Sequence, residues 1–204
     1  MALPDDIDFP SLSPSLKDFS FPRHILTDFL LWESLNHDRL AAIQGGLDDP
    51  QSPGIVHIRY IAPWQDAPPS DFGEGLDMVF SQAVMEHVED ISGTYALLHK
   101  WLRLGGLMSH TIDYKSHGYA RSWNGHWAVS ENTWKIVRGK RPYLINRLPH
   151  SAQIAAMKNA GFKIAYEMKM HDRGIARERL ARNFRNLSED DLFTSGAFIQ
   201  AVKI

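Results

Sequence analysis

The chain has no cysteine among its 204 residues, which excludes disulfides, thiolate metal sites and a cysteine nucleophile. No stretch approaches the roughly 20 apolar residues that a membrane span needs. The N-terminus is Pro-rich and acidic (Pro4, Asp5, Asp6, Asp8, Pro10, Pro14) and lacks the basic segment and apolar run of a secretory signal. A strong charge of either sign is also missing. With 22 Lys and Arg against 24 Asp and Glu, the formal net charge is −2, which gives no whole-chain case for nucleic acid or an anionic membrane as partner. These absences predict a soluble, cytoplasmic protein. What is present is a 44 % hydrophobic composition, sufficient for one globular domain with a full core.

Residues 1–22 read as an irregular arm broken by Pro4, Pro10, Pro14 and Pro22, ahead of one domain over 23–204. Arg23 to Asp28 reads as a short strand ending in an acid. Apolar residues at 31, 35, 40 and 43 predict a helix stopped by Gly45-Gly46. A strand is expected over 54–60, and a Pro- and Gly-rich loop leads from it to a second strand at 77–80. Asp90 or Ser92 caps a helix whose apolar residues, Ile91, Tyr95, Leu98 and Leu102, fall close to the 3.6 period. Gly105-Gly106 ends it, and a strand follows over 107–112. An aromatic-rich insertion occupies 114–148. Beyond it come a helix over 151–160 with Gly161 as its stop, a strand over 162–168, a basic amphipathic helix over 175–187 and a final strand over 196–204. Strands alternate with helices and the last two strands lie close together, so the fold class is α/β, mostly parallel, with an antiparallel last strand.

The most informative stretch is Leu76-Asp-Met-Val-Phe-Ser-Gln-Ala-Val-Met-Glu-His-Val-Glu-Asp90 with Leu102-Arg-Leu-Gly-Gly-Leu-Met-Ser-His-Thr-Ile-Asp113. It resembles the class I S-adenosylmethionine-dependent methyltransferases (methyltransferase type 11-like), whose pattern there is a strand "fDlVfs", then "avlEHv.D", a helix, and "L+pGG.l...i". Asn159-Ala-Gly-Phe162 is a further feature of that family. The resemblance covers residues 23–204. It implies a Rossmann-like sheet of seven strands in the order 3-2-1-4-5-7-6, to which 24–28, 55–60, 77–80, 107–112, 162–168 and 196–203 correspond as strands 2 to 7. The first strand and the glycine-rich cofactor loop after it have no counterpart. Gly73-Glu74-Gly75 precedes a strand instead of following one, so it does not place amides at a strand's carboxyl end. This departure leaves three alternatives: a truncated reading frame, a remodelled sheet in which the arm or a second copy of the chain fills the gap, or a degenerate protein.

The resemblance also distributes roles. S-adenosylmethionine is the implied cofactor, held weakly by this chain alone. Asp28 would accept hydrogen bonds from its ribose, Tyr60 would line the adenine, and Ser81, Gln82 and Ala83 would contact the cofactor from below. Glu86-His87 would hold the turn after the fourth strand. Asp113 ends the fifth strand, where strand carboxyl ends face the site, and is assigned to substrate binding. Arg121, Trp123 and Trp127 of the insertion suit a planar or glycan-like small-molecule acceptor through stacking and directed hydrogen bonds; a lid that simply covers the sheet is the alternative. His117 and His126 are the candidate bases. His110, Asp113 and His117 form H-x2-D-x3-H, a spacing open to a metal. His110 and Asp113, however, point to opposite faces of a strand, and no metal site is assigned. The expected activity is methyl transfer to such an acceptor. The alternative is a non-catalytic binding or assembly module that retains the fold.

Overall fold

The computed structural model describes residues 25–50 and 56–204. The expected arm at 1–22 lies outside the described residues. The chain divides into two compact units, 1–67 and 68–204, so a boundary falls inside the range 23–204 that the sequence presents as one domain.

In the first unit the predicted strand at 24–28 is replaced by a helix start. The Thr27 hydroxyl accepts from the Leu30 amide, capping α1 (Asp28–Leu35), and Asp28 sits in its first turn.

Results

Sequence analysis

The chain has no cysteine among its 204 residues, which excludes disulfides, thiolate metal sites and a cysteine nucleophile. No stretch approaches the roughly 20 apolar residues that a membrane span needs. The N-terminus is Pro-rich and acidic (Pro4, Asp5, Asp6, Asp8, Pro10, Pro14) and lacks the basic segment and apolar run of a secretory signal. A strong charge of either sign is also missing. With 22 Lys and Arg against 24 Asp and Glu, the formal net charge is −2, which gives no whole-chain case for nucleic acid or an anionic membrane as partner. These absences predict a soluble, cytoplasmic protein. What is present is a 44 % hydrophobic composition, sufficient for one globular domain with a full core.

Residues 1–22 read as an irregular arm broken by Pro4, Pro10, Pro14 and Pro22, ahead of one domain over 23–204. Arg23 to Asp28 reads as a short strand ending in an acid. Apolar residues at 31, 35, 40 and 43 predict a helix stopped by Gly45-Gly46. A strand is expected over 54–60, and a Pro- and Gly-rich loop leads from it to another strand at 77–80. Asp90 or Ser92 caps a helix whose apolar residues, Ile91, Tyr95, Leu98 and Leu102, fall close to the 3.6 period. Gly105-Gly106 ends it, and a strand follows over 107–112. An aromatic-rich insertion occupies 114–148. Beyond it come a helix over 151–160 with Gly161 as its stop, a strand over 162–168, a basic amphipathic helix over 175–187 and a final strand over 196–204. Strands alternate with helices and the last two strands lie close together. The fold class is therefore α/β, mostly parallel, with an antiparallel last strand.

The most informative stretch is Leu76-Asp-Met-Val-Phe-Ser-Gln-Ala-Val-Met-Glu-His-Val-Glu-Asp90 with Leu102-Arg-Leu-Gly-Gly-Leu-Met-Ser-His-Thr-Ile-Asp113. It resembles the class I S-adenosylmethionine-dependent methyltransferases (methyltransferase type 11-like), whose pattern there is a strand "fDlVfs", then "avlEHv.D", a helix, and "L+pGG.l...i". Asn159-Ala-Gly-Phe162 is a further feature of that family. The resemblance covers residues 23–204. It implies a Rossmann-like sheet of seven strands in the order 3-2-1-4-5-7-6. To strands 2 to 7 of that sheet correspond 24–28, 55–60, 77–80, 107–112, 162–168 and 196–203. The first strand and the glycine-rich cofactor loop after it have no counterpart. Gly73-Glu74-Gly75 precedes a strand instead of following one, so it does not place amides at a strand's carboxyl end. This departure leaves three alternatives: a truncated reading frame, a remodelled sheet in which the arm or a partner chain (a homo-oligomer) fills the gap, or a degenerate protein.

The resemblance also distributes roles. S-adenosylmethionine is the implied cofactor, held weakly by this chain alone. Asp28 would accept hydrogen bonds from its ribose, Tyr60 would line the adenine, and Ser81, Gln82 and Ala83 would contact the cofactor from below. Glu86-His87 would hold the turn after the fourth strand. Asp113 ends the fifth strand, where strand carboxyl ends face the site, and is assigned to substrate binding. Arg121, Trp123 and Trp127 of the insertion suit a planar, small-molecule or glycan-like acceptor through stacking and directed hydrogen bonds; a lid that simply covers the sheet is the alternative. His117 and His126 are the candidate bases. His110, Asp113 and His117 form H-x2-D-x3-H, a spacing open to a metal. His110 and Asp113, however, point to opposite faces of a strand, and no metal site is assigned. The expected activity is methyl transfer to such an acceptor. The alternative is a non-catalytic binding or assembly module that retains the fold.

Overall fold

The computed structural model describes residues 25–50 and 56–204. The expected arm at 1–22 lies outside the described residues. The chain divides into two compact units, 1–67 and 68–204, so a boundary falls inside the range 23–204 that the sequence presents as one domain.

In the first unit the strand expected at 24–28 is replaced by a helix start. The Thr27 hydroxyl accepts from the Leu30 amide and caps α1 (Asp28–Leu35), with Asp28 in its first turn. Thr followed by Asp favours this outcome, because both groups complement the free amides of a helix N-terminus. The single helix expected over 31–43 is divided at Asn36, whose extended backbone ends α1 and whose Oδ1 accepts from the Arg39 amide at 2.8 Å to start α2 (His37–Asp48). Gly45-Gly46 does not stop this helix. Gly46 is buried inside it, and a Cβ there would lie 2.7 Å from the Val56 carbonyl oxygen, so its role is close packing. Residues 56–60 form no strand.

The second unit contains the sheet. Asp90 caps α3 (Ile91–Trp101) by accepting from the Gly93 amide at 2.8 Å. This helix joins β1 (Leu76–Gln82) to β2 (Leu102–Asp113), and the two strands pair in parallel from Met78 opposite Leu107 to Gln82 opposite Thr111. The structure differs from the sequence reading at the Gly-Gly pair. The chain enters β2 already at Leu102, and Gly105-Gly106 forms an irregularity where the register jumps. Gly105 takes φ +74°, and a Cβ on Gly106 would stand 2.8 Å from the Arg103 carbonyl oxygen and 3.0 Å from that of Leu76. Only glycine fits that approach.

The remaining strands are β3 (Phe162–His171) and β4 (Thr194–Lys203), and the sheet order is β1-β2-β4-β3. β4 runs antiparallel to both neighbours, so three strands share one direction and only the last is reversed. This is an α/β, Rossmann-like sheet whose order reproduces the 4-5-7-6 half expected from the resemblance. Between α4 (Glu131–Arg138) of the insertion and β3 lies α5 (His150–Asn159), which packs beside α3 and over β3 and β4. Tyr95 and Leu98 of α3, Met108 and Ile112 of β2, Met157 of α5 and the alternating Ala197, Ile199 and Ala201 of β4 are buried. Removing such side chains from water contributes about 1.5–3 kcal/mol for each large one.

The basic helix expected over 175–187 is absent. Two short 3-10 turns, Arg177–Arg179 and Arg182–Phe184, replace it. Side chains take the hydrogen bonds that a helix would have made internally. The Arg177 guanidinium donates to the carbonyls of Arg185 and Leu187, Arg185 Nε donates to the Leu180 carbonyl, and the Ala181 amide pairs with the Trp127 carbonyl of the insertion. A short helix, α6 (Glu189–Phe193), then leads into β4.

Candidate functional site

At the carboxyl end of β1, Ser81 faces β2 and its Oγ lies 2.8 Å from His110 Nδ1. Burial pushes the imidazole of His110 down to about 4, so it is neutral at pH 7. Gln82 lies opposite Thr111, and the Ala83 amide donates to the Thr111 carbonyl at 2.9 Å. Ala83 takes φ +52°, which turns the chain sharply out of the sheet.

The turn that follows is held by residues the sequence reading did not assign to it. Asn146 of the insertion donates its backbone amide to the Glu86 carbonyl at 2.7 Å, and its side-chain amide to the carbonyls of Met85 and Val88, each at 2.8 Å. Gln153 Nε2 lies 3.5 Å from the Met85 carbonyl, and Gln153 Oε1 accepts from the Tyr95 hydroxyl at 2.8 Å. The Glu86 side chain therefore does not hold the turn, which corrects the expectation from the resemblance. It is 3 % exposed and neither carboxylate oxygen has a hydrogen-bond partner. Burial, with a smaller push from the charge of Asp113, raises its carboxyl to about 7; the nearby amides of Glu86 and Asp113 pull the other way without reaching hydrogen-bonding geometry. Beside it His87 is held below its ordinary value, first by burial and then by His117.

At the carboxyl end of β2, Asp113 accepts from the Lys115 amide at 3.0 Å, and the chain turns back so that His117 Nε2 lies 3.4 Å from Asp113 Oδ2. The ring of His117 meets that of His87 edge-on with centroids 5.0 Å apart. An open depression of about 460 Å³ lies here, lined by Asp113, Lys115, Ser116, His117, Arg121 and Trp123. Four residues singled out in the sequence, Asp113, His117, Arg121 and Trp123, thus come together. Trp123 is anchored by its indole N–H, which donates to the Asp172 carbonyl at 3.0 Å.

His126 and Trp127 sit deeper. Trp127 is fully buried, donates its indole N–H to the Arg147 carbonyl at 2.9 Å and stacks on Phe184 at 5.8 Å between centroids. Trp123 meets Trp127 edge-on at 5.4 Å. His126 is 2 % exposed; burial chiefly, and then the charge of Arg147, push it down to about 3, so it stays neutral inside the insertion. The Arg147 guanidinium lies over the rings of Trp134 and Phe184, at 4.8 and 4.6 Å from their centroids. The non-glycine residues with positive φ are Ala83, His117, Tyr143 and Arg147. All four lie in the segments that leave β1 and β2 or in the insertion, the distribution that strained backbone shows around functional sites.

Asp28 and Tyr60 belong to the first unit. Asp28 opens α1 instead of closing a strand, and Tyr60 is 94 % exposed. Among the described residues no strand is followed by a glycine-rich loop. The described residues therefore form a polar pocket at the end of β2, but not the amide cradle that grips the methionine end of S-adenosylmethionine.

No family model matches the chain, and no curated protein matches it either. Among solved structures it is similar to an S-adenosylmethionine-dependent methyltransferase from Mesorhizobium loti, at 17 % identity over 83 % of this chain and 77 % of that one, with a TM-score of 0.44. It is also similar to Haemonchus contortus phosphoethanolamine N-methyltransferase 2, solved with phosphomonomethylethanolamine and S-adenosylhomocysteine, at 21 % identity over 64 % of this chain and a TM-score of 0.37. A chain of the Haloferax volcanii Trm112 methyltransferase-activator complex is 18 % identical over 64 % of this chain, with a TM-score of 0.37. The chain spans 54 % of this last structure and 34 % of the Haemonchus enzyme.

Proposed function

We propose that the second unit is the acceptor-side half of an S-adenosylmethionine-dependent methyltransferase, acting on a small-molecule or glycan-like acceptor. The observation that carries this reading is the pocket at the carboxyl end of β2, where Asp113, His117, Arg121 and Trp123 meet. Ligands of open parallel sheets bind beyond the carboxyl ends of the strands, and the motif around β1 and β2 is the one that resembles the family. In methyl transfer the sulfonium already activates the methyl group, so the protein's task is to align the acceptor, exclude water and remove a proton where needed. His117, oriented by Asp113 at 3.4 Å, suits the role of base. Trp123 offers an aromatic wall and Arg121 a donor. His126 and Trp127 support this wall from behind. Ser81, Gln82 and Ala83 would lie under the cofactor.

A second reading, a non-catalytic module that assembles with a partner or a second copy, is favoured by one observation. Among the described residues β1 pairs only with β2, and its Met78 and Phe80 are 48 % and 76 % exposed. The deciding experiment supplies labelled S-adenosylmethionine and a panel of sugar, phenol and amine acceptors to the purified chain. Methyl transfer that His117→Asn abolishes supports the first reading. No transfer to any acceptor, together with a stable dimer in sedimentation that Phe80→Asp dissolves, supports the second.

A further inference from the structure

We propose that Glu86, His87 and His117 bind one divalent transition-metal ion, of the zinc class, where β1 and β2 end. One ligand atom from each of the three residues lies within 4.8 Å of the others. The topology explains why. β1 and β2 are parallel neighbours, so the turn carrying Glu86-His87 and the loop carrying His117 leave the same edge of the sheet side by side.

The atoms face inward without partners. Both Glu86 oxygens and His87 Nδ1 are buried and make no hydrogen bond, an arrangement that costs free energy unless something occupies the space between them. Asp113 stands outside this set of three, with its Oδ2 3.4 Å from His117 Nε2, where it orients the ring. Two imidazoles with one carboxylate, and no thiolate, form a donor set for zinc, iron(II) or cobalt(II). The metal-like spacing in the sequence, His110-x2-Asp113-x3-His117, contributes only His117 as a ligand. His110 turns away to Ser81, and Glu86-His87 of the neighbouring strand takes its place.

This site stands on ligand geometry and does not rest on the methyl-transfer reading. If both hold, His117 is a ligand in place of a base, and an acceptor hydroxyl on the ion would lose its proton more readily.

The test uses the whole chain, treated with chelator, dialysed, then titrated with zinc chloride by calorimetry and with cobalt(II) followed by visible absorption. One equivalent should bind with a dissociation constant of about 1 µM or tighter, and cobalt should give the d–d bands of a nitrogen- and oxygen-ligated ion. Glu86→Gln and His117→Asn should each weaken binding at least about ten-fold, while His171→Asn, an exposed histidine at the end of β3, should leave it unchanged. No saturable uptake would overturn the proposal. So would uptake that His117→Asn leaves intact, which would mean an adventitious ion only, held by exposed histidines. Should Glu86→Gln fail to fold by circular dichroism, His117→Asn, which alters a partly exposed loop residue, decides alone. Since no S-adenosylmethionine is added, failure here leaves the methyl-transfer reading standing.

Discussion

Asn146 fastens the insertion to the turn that presents Glu86, through three hydrogen bonds of 2.7–2.8 Å to the carbonyls of Met85, Glu86 and Val88. Two of them come from its side chain. Replacing Asn146 by Ala leaves the Met85 and Val88 carbonyls with fewer donors in a largely water-free corner. Each lost bond costs about 0.5–1.5 kcal/mol, with a further penalty where a carbonyl stays unpaired. Asn146→Ala should lower stability by roughly 2–3 kcal/mol in urea unfolding. Asn146→Asp should not restore it, because a carboxylate faces the same acceptors without an N–H. An Asn146→Ala variant as stable as the parent would show that the turn is held by its own backbone.

The core makes a second demand. Ile112 and Met157 are fully buried, one on β2 and the other on α5. Truncating either to Ala removes packed methylenes and leaves a cavity, at about 2–5 kcal/mol. Leu104 is 73 % exposed on β2, and Leu104→Ala should change the unfolding midpoint by less than about 0.5 kcal/mol equivalent. Equal losses at positions 104 and 112 would contradict the arrangement of the sheet.

Acid should weaken the fold through His110. In the folded chain its imidazole is held at about 4 by burial, whereas in the unfolded chain it titrates near 6.5. Between those values the unfolded state binds the extra proton. The stabilising effect of keeping His110 neutral is therefore complete above about pH 6.5 and declines as pH falls toward 4. His126, held at about 3, acts with the same sign. Glu86, raised to about 7 by burial, acts with the opposite sign, so the His110 share is read as a difference: between about pH 7.5 and about pH 5, His110→Gln should lose roughly 2 kcal/mol less stability than the parent chain in urea unfolding. An equal pH dependence in the two chains would mean that the ring has solvent access.

The half of the fold that was legible in the sequence is the half with strong period signals. β1, α3, β2, α5, β3 and β4 each carry uninterrupted apolar patterning, and their order follows from parallel and antiparallel pairing. The first unit misled because Ile25-Leu26-Thr27-Asp28 contains apolar residues of strand type, while its last two residues are a helix cap. Residues 175–187 have helical periodicity, yet the guanidinium groups of Arg177 and Arg185 satisfy carbonyls within the segment and stabilise short turns instead. The proximity of Asp113, His117, Arg121 and Trp123 was legible because they follow one strand closely. Glu86 was not.

Results

Sequence analysis

The chain has no cysteine among its 204 residues, which excludes disulfides, thiolate metal sites and a cysteine nucleophile. No stretch approaches the roughly 20 apolar residues that a membrane span needs. The N-terminus is Pro-rich and acidic (Pro4, Asp5, Asp6, Asp8, Pro10, Pro14) and lacks the basic segment and apolar run of a secretory signal. A strong charge of either sign is also missing. With 22 Lys and Arg against 24 Asp and Glu, the formal net charge is −2, which gives no whole-chain case for nucleic acid or an anionic membrane as partner. These absences predict a soluble, cytoplasmic protein. What is present is a 44 % hydrophobic composition, sufficient for one globular domain with a full core.

Residues 1–22 read as an irregular arm broken by Pro4, Pro10, Pro14 and Pro22, ahead of one domain over 23–204. Arg23 to Asp28 reads as a short strand ending in an acid. Apolar residues at 31, 35, 40 and 43 predict a helix stopped by Gly45-Gly46. A strand is expected over 54–60, and a Pro- and Gly-rich loop leads from it to another strand at 77–80. Asp90 or Ser92 caps a helix whose apolar residues, Ile91, Tyr95, Leu98 and Leu102, fall close to the 3.6 period. Gly105-Gly106 ends it, and a strand follows over 107–112. An aromatic-rich insertion occupies 114–148. Beyond it come a helix over 151–160 with Gly161 as its stop, a strand over 162–168, a basic amphipathic helix over 175–187 and a final strand over 196–204. Strands alternate with helices and the last two strands lie close together. The fold class is therefore α/β, mostly parallel, with an antiparallel last strand.

The most informative stretch is Leu76-Asp-Met-Val-Phe-Ser-Gln-Ala-Val-Met-Glu-His-Val-Glu-Asp90 with Leu102-Arg-Leu-Gly-Gly-Leu-Met-Ser-His-Thr-Ile-Asp113. It resembles the class I S-adenosylmethionine-dependent methyltransferases (methyltransferase type 11-like), whose pattern there is a strand "fDlVfs", then "avlEHv.D", a helix, and "L+pGG.l...i". Asn159-Ala-Gly-Phe162 is a further feature of that family. The resemblance covers residues 23–204. It implies a Rossmann-like sheet of seven strands in the order 3-2-1-4-5-7-6. To strands 2 to 7 of that sheet correspond 24–28, 55–60, 77–80, 107–112, 162–168 and 196–203. The first strand and the glycine-rich cofactor loop after it have no counterpart. Gly73-Glu74-Gly75 precedes a strand instead of following one, so it does not place amides at a strand's carboxyl end. This departure leaves three alternatives: a truncated reading frame, a remodelled sheet in which the arm or a partner chain (a homo-oligomer) fills the gap, or a degenerate protein.

The resemblance also distributes roles. S-adenosylmethionine is the implied cofactor, held weakly by this chain alone. Asp28 would accept hydrogen bonds from its ribose, Tyr60 would line the adenine, and Ser81, Gln82 and Ala83 would contact the cofactor from below. Glu86-His87 would hold the turn after the fourth strand. Asp113 ends the fifth strand, where strand carboxyl ends face the site, and is assigned to substrate binding. Arg121, Trp123 and Trp127 of the insertion suit a planar, small-molecule or glycan-like acceptor through stacking and directed hydrogen bonds; a lid that simply covers the sheet is the alternative. His117 and His126 are the candidate bases. His110, Asp113 and His117 form H-x2-D-x3-H, a spacing open to a metal. His110 and Asp113, however, point to opposite faces of a strand, and no metal site is assigned. The expected activity is methyl transfer to such an acceptor. The alternative is a non-catalytic binding or assembly module that retains the fold.

Overall fold

The computed structural model describes residues 25–50 and 56–204. The expected arm at 1–22 lies outside the described residues. The chain divides into two compact units, 1–67 and 68–204, so a boundary falls inside the range 23–204 that the sequence presents as one domain. Among the described residues no helix is long and apolar enough to cross a membrane.

In the first unit the strand expected at 24–28 is replaced by a helix start. The Thr27 hydroxyl accepts from the Leu30 amide and caps α1 (Asp28–Leu35), with Asp28 in its first turn. Thr followed by Asp favours this outcome, because both groups complement the free amides of a helix N-terminus. The single helix expected over 31–43 is divided at Asn36. Its extended backbone ends α1, and its Oδ1 accepts from the Arg39 amide at 2.8 Å to start α2 (His37–Asp48). Gly45-Gly46 does not stop this helix. Gly46 is buried inside it, and a Cβ there would lie 2.7 Å from the Val56 carbonyl oxygen, so its role is close packing. Residues 56–60 form no strand.

The second unit contains the sheet. Asp90 caps α3 (Ile91–Trp101) by accepting from the Gly93 amide at 2.8 Å. This helix joins β1 (Leu76–Gln82) to β2 (Leu102–Asp113), and the two strands pair in parallel from Met78 opposite Leu107 to Gln82 opposite Thr111. The structure differs from the sequence reading at the Gly-Gly pair. The chain enters β2 already at Leu102, and Gly105-Gly106 forms an irregularity where the register jumps. Gly105 takes φ +74°, and a Cβ on Gly106 would stand 2.8 Å from the Arg103 carbonyl oxygen and 3.0 Å from that of Leu76. Only glycine fits that approach.

The remaining strands are β3 (Phe162–His171) and β4 (Thr194–Lys203), and the sheet order is β1-β2-β4-β3. β4 runs antiparallel to both neighbours, so three strands share one direction and only the last is reversed. This is an α/β, Rossmann-like sheet whose order reproduces the 4-5-7-6 half expected from the resemblance. After α4 (Glu131–Arg138) of the insertion comes α5 (His150–Asn159), which packs beside α3 and against β3 and β4. Tyr95 and Leu98 of α3, Met108 and Ile112 of β2, Met157 of α5 and the alternating Ala197, Ile199 and Ala201 of β4 are buried. Removing a large side chain of this kind from water contributes about 1.5–3 kcal/mol.

The basic helix expected over 175–187 is absent. Two short 3-10 turns, Arg177–Arg179 and Arg182–Phe184, replace it. Side chains take the carbonyls that a helix would have used internally. The Arg177 guanidinium donates to the carbonyls of Arg185 and Leu187, Arg185 Nε donates to the Leu180 carbonyl, and the Ala181 amide pairs with the Trp127 carbonyl of the insertion. A short helix, α6 (Glu189–Phe193), then leads into β4.

Candidate functional site

At the carboxyl end of β1, Ser81 faces β2 and its Oγ lies 2.8 Å from His110 Nδ1. Burial pushes the imidazole of His110 down to about 4, so it is neutral at pH 7. Gln82 lies opposite Thr111, and the Ala83 amide donates to the Thr111 carbonyl at 2.9 Å. Ala83 takes φ +52°, which turns the chain sharply out of the sheet.

The turn that follows is held by residues the sequence reading did not assign to it. Asn146 of the insertion donates its backbone amide to the Glu86 carbonyl at 2.7 Å, and its side-chain amide to the carbonyls of Met85 and Val88, each at 2.8 Å. Gln153 Nε2 lies 3.5 Å from the Met85 carbonyl, and Gln153 Oε1 accepts from the Tyr95 hydroxyl at 2.8 Å. The Glu86 side chain therefore does not hold the turn, which corrects the expectation from the resemblance. It is 3 % exposed and neither carboxylate oxygen has a hydrogen-bond partner. Burial, with a smaller push from the charge of Asp113, raises its carboxyl to about 7; the nearby amides of Glu86 and Asp113 pull the other way without reaching hydrogen-bonding geometry. Beside it His87 is held below its ordinary value, first by burial and then by His117.

At the carboxyl end of β2, Asp113 accepts from the Lys115 amide at 3.0 Å, and the chain turns back so that His117 Nε2 lies 3.4 Å from Asp113 Oδ2. The ring of His117 meets that of His87 edge-on with centroids 5.0 Å apart. An open depression of about 460 Å³ lies here, lined by Asp113, Lys115, Ser116, His117, Arg121 and Trp123. Four residues singled out in the sequence, Asp113, His117, Arg121 and Trp123, thus come together. Trp123 is anchored by its indole N–H, which donates to the Asp172 carbonyl at 3.0 Å.

His126 and Trp127 sit deeper. Trp127 is fully buried, donates its indole N–H to the Arg147 carbonyl at 2.9 Å and stacks on Phe184 at 5.8 Å between centroids. Trp123 meets Trp127 edge-on at 5.4 Å. His126 is buried as well; burial chiefly, and then the charge of Arg147, push it down to about 3, so it stays neutral inside the insertion. The Arg147 guanidinium lies over the rings of Trp134 and Phe184, at 4.8 and 4.6 Å from their centroids. Among the described residues, the non-glycine ones with positive φ are Ala83, His117, Tyr143 and Arg147. All four lie in the segment that leaves β1 or in the insertion that follows β2, the clustering that strained backbone shows around functional sites.

Asp28 and Tyr60 belong to the first unit. Asp28 opens α1 instead of closing a strand, and Tyr60 is 94 % exposed. Among the described residues no strand is followed by a glycine-rich loop. The described residues therefore form a polar pocket at the end of β2, but not the amide cradle that would grip the methionine end of S-adenosylmethionine.

No family model matches the chain, and no curated protein matches it either. Among solved structures it is similar to an S-adenosylmethionine-dependent methyltransferase from Mesorhizobium loti, at 17 % identity over 83 % of this chain and 77 % of that one, with a TM-score of 0.44. It is also similar to Haemonchus contortus phosphoethanolamine N-methyltransferase 2, solved with S-adenosyl-L-methionine, at 18 % identity over 63 % of this chain and 33 % of that one, with a TM-score of 0.37. A chain of the Haloferax volcanii Trm112 methyltransferase-activator complex is 18 % identical over 64 % of this chain, with a TM-score of 0.37. The chain spans only 54 % of the length of this last structure.

Proposed function

We propose that the second unit is the acceptor-side half of an S-adenosylmethionine-dependent methyltransferase, acting on a small-molecule or glycan-like acceptor. The observation that carries this reading is the pocket at the carboxyl end of β2, where Asp113, His117, Arg121 and Trp123 meet. Ligands of open parallel sheets bind beyond the carboxyl ends of the strands, and the motif around β1 and β2 is the one that resembles the family. In methyl transfer the sulfonium already activates the methyl group, so the protein's task is to align the acceptor, exclude water and remove a proton where needed. His117, oriented by Asp113 at 3.4 Å, suits the role of base. Trp123 offers an aromatic wall and Arg121 a donor. His126 and Trp127 would support this wall from behind. Ser81, Gln82 and Ala83 would lie under the cofactor.

A second reading, a non-catalytic module that assembles with a partner or a second copy, is favoured by one observation. Among the described residues β1 pairs only with β2, and its Met78 and Phe80 are 48 % and 76 % exposed. The deciding experiment supplies labelled S-adenosylmethionine and a panel of sugar, phenol and amine acceptors to the purified chain. Methyl transfer that His117→Asn abolishes supports the first reading. No transfer to any acceptor, together with a stable dimer in sedimentation that Phe80→Asp dissolves, supports the second.

A further inference from the structure

We propose that Glu86, His87 and His117 bind one divalent transition-metal ion, of the zinc class, where β1 and β2 end. One ligand atom from each of the three residues lies within 4.8 Å of the others. The topology explains why. β1 and β2 are parallel neighbours, so the turn carrying Glu86-His87 and the loop carrying His117 leave the same edge of the sheet side by side.

The atoms of the first two residues lack partners. Both Glu86 oxygens and His87 Nδ1 are buried and make no hydrogen bond, an arrangement that costs free energy unless something occupies the space beside them. Asp113 stands outside this set of three, with its Oδ2 3.4 Å from His117 Nε2, where it orients the ring. Two imidazoles with one carboxylate, and no thiolate, form a donor set for zinc, iron(II) or cobalt(II). The metal-like spacing in the sequence, His110-x2-Asp113-x3-His117, contributes only His117 as a ligand. His110 turns to Ser81, and Glu86-His87 from the end of the neighbouring strand takes its place.

This site stands on ligand geometry and does not rest on the methyl-transfer reading. If both hold, His117 is a ligand in place of a base, and an acceptor hydroxyl on the ion would lose its proton more readily.

The test uses the whole chain, treated with chelator, dialysed, then titrated with zinc chloride by calorimetry and with cobalt(II) followed by visible absorption. One equivalent should bind with a dissociation constant of about 1 µM or tighter, and cobalt should give the d–d bands of a nitrogen- and oxygen-ligated ion. Glu86→Gln and His117→Asn should each weaken binding at least about ten-fold, while His171→Asn, an exposed histidine at the end of β3, should leave it unchanged. No saturable uptake would overturn the proposal. So would uptake that His117→Asn leaves intact, which would mean an adventitious ion only, held by exposed histidines. Should Glu86→Gln fail to fold by circular dichroism, His117→Asn, which alters a partly exposed loop residue, decides alone. Since no S-adenosylmethionine is added, failure here leaves the methyl-transfer reading standing.

Discussion

Asn146 fastens the insertion to the turn that presents Glu86, through hydrogen bonds of 2.7 Å to the Glu86 carbonyl and 2.8 Å to those of Met85 and Val88. Two of these bonds come from its side chain. Replacing Asn146 by Ala leaves the Met85 and Val88 carbonyls with fewer donors in a largely buried corner. Each lost bond costs about 0.5–1.5 kcal/mol, with a further penalty where a carbonyl stays unpaired, so Asn146→Ala should lower stability by roughly 2–3 kcal/mol in urea unfolding. Asn146→Asp should not restore it, because a carboxylate faces the same acceptors without an N–H. An Asn146→Ala variant as stable as the parent would show that the turn is held by its own backbone.

The core makes a second demand. Ile112 and Met157 are fully buried, one on β2 and the other on α5. Truncating either to Ala removes packed methylenes and leaves a cavity, at a cost of about 2–5 kcal/mol. Leu104, by contrast, is 73 % exposed on β2, and Leu104→Ala should change stability by less than about 0.5 kcal/mol. Equal losses at positions 104 and 112 would contradict the arrangement of the sheet.

Acid should weaken the fold through His110. In the folded chain its imidazole is held at about 4 by burial, whereas in the unfolded chain it titrates near 6.5. Between those values the unfolded state binds the extra proton. The stabilising effect of keeping His110 neutral is therefore complete above about pH 6.5 and declines as pH falls toward about 4. His126, held at about 3, acts with the same sign. Glu86, raised to about 7 by burial, acts with the opposite sign, so the His110 share is read as a difference: between about pH 7.5 and about pH 5, His110→Gln should lose roughly 2 kcal/mol less stability than the parent chain in urea unfolding. An equal pH dependence in the two chains would mean that the ring has solvent access.

The half of the fold that was legible in the sequence is the half with strong period signals. β1, α3, β2, α5, β3 and β4 carry sustained apolar patterning, and the resemblance supplied their order. The first unit misled because Ile25-Leu26-Thr27-Asp28 begins with apolar residues of strand type, while its last two residues start a helix. Residues 175–187 have helical periodicity, yet the guanidinium groups of Arg177 and Arg185 satisfy carbonyls within the segment and stabilise short turns instead. The proximity of Asp113, His117, Arg121 and Trp123 was legible because they follow one strand closely. The isolation of Glu86 was not. It results from Asn146 and Gln153 taking over the turn, through contacts that span 58 to 68 residues of sequence, beyond the reach of any local pattern.

The last prediction concerns cofactor affinity. In the family that the motif resembles, the methionine end of S-adenosylmethionine is gripped by backbone groups of a glycine-rich loop and the helix N-terminus beside it. Among the described residues no strand is followed by such a loop. Each missing hydrogen bond to a charged group is worth about 1.5–3 kcal/mol, so the loss of several lowers affinity by orders of magnitude. The 204-residue chain alone should therefore bind S-adenosylmethionine with a dissociation constant weaker than about 0.1 mM, as read by calorimetric titration. Binding should tighten if a partner chain supplies the missing groups. Micromolar binding by a monomer would mean that the residues ahead of β1 build a cofactor site by another route. In that event Asp28→Ala gives the next measurement: a ten-fold or greater loss would keep Asp28 as the ribose acceptor despite its place at the start of α1, and no loss would remove it from the site.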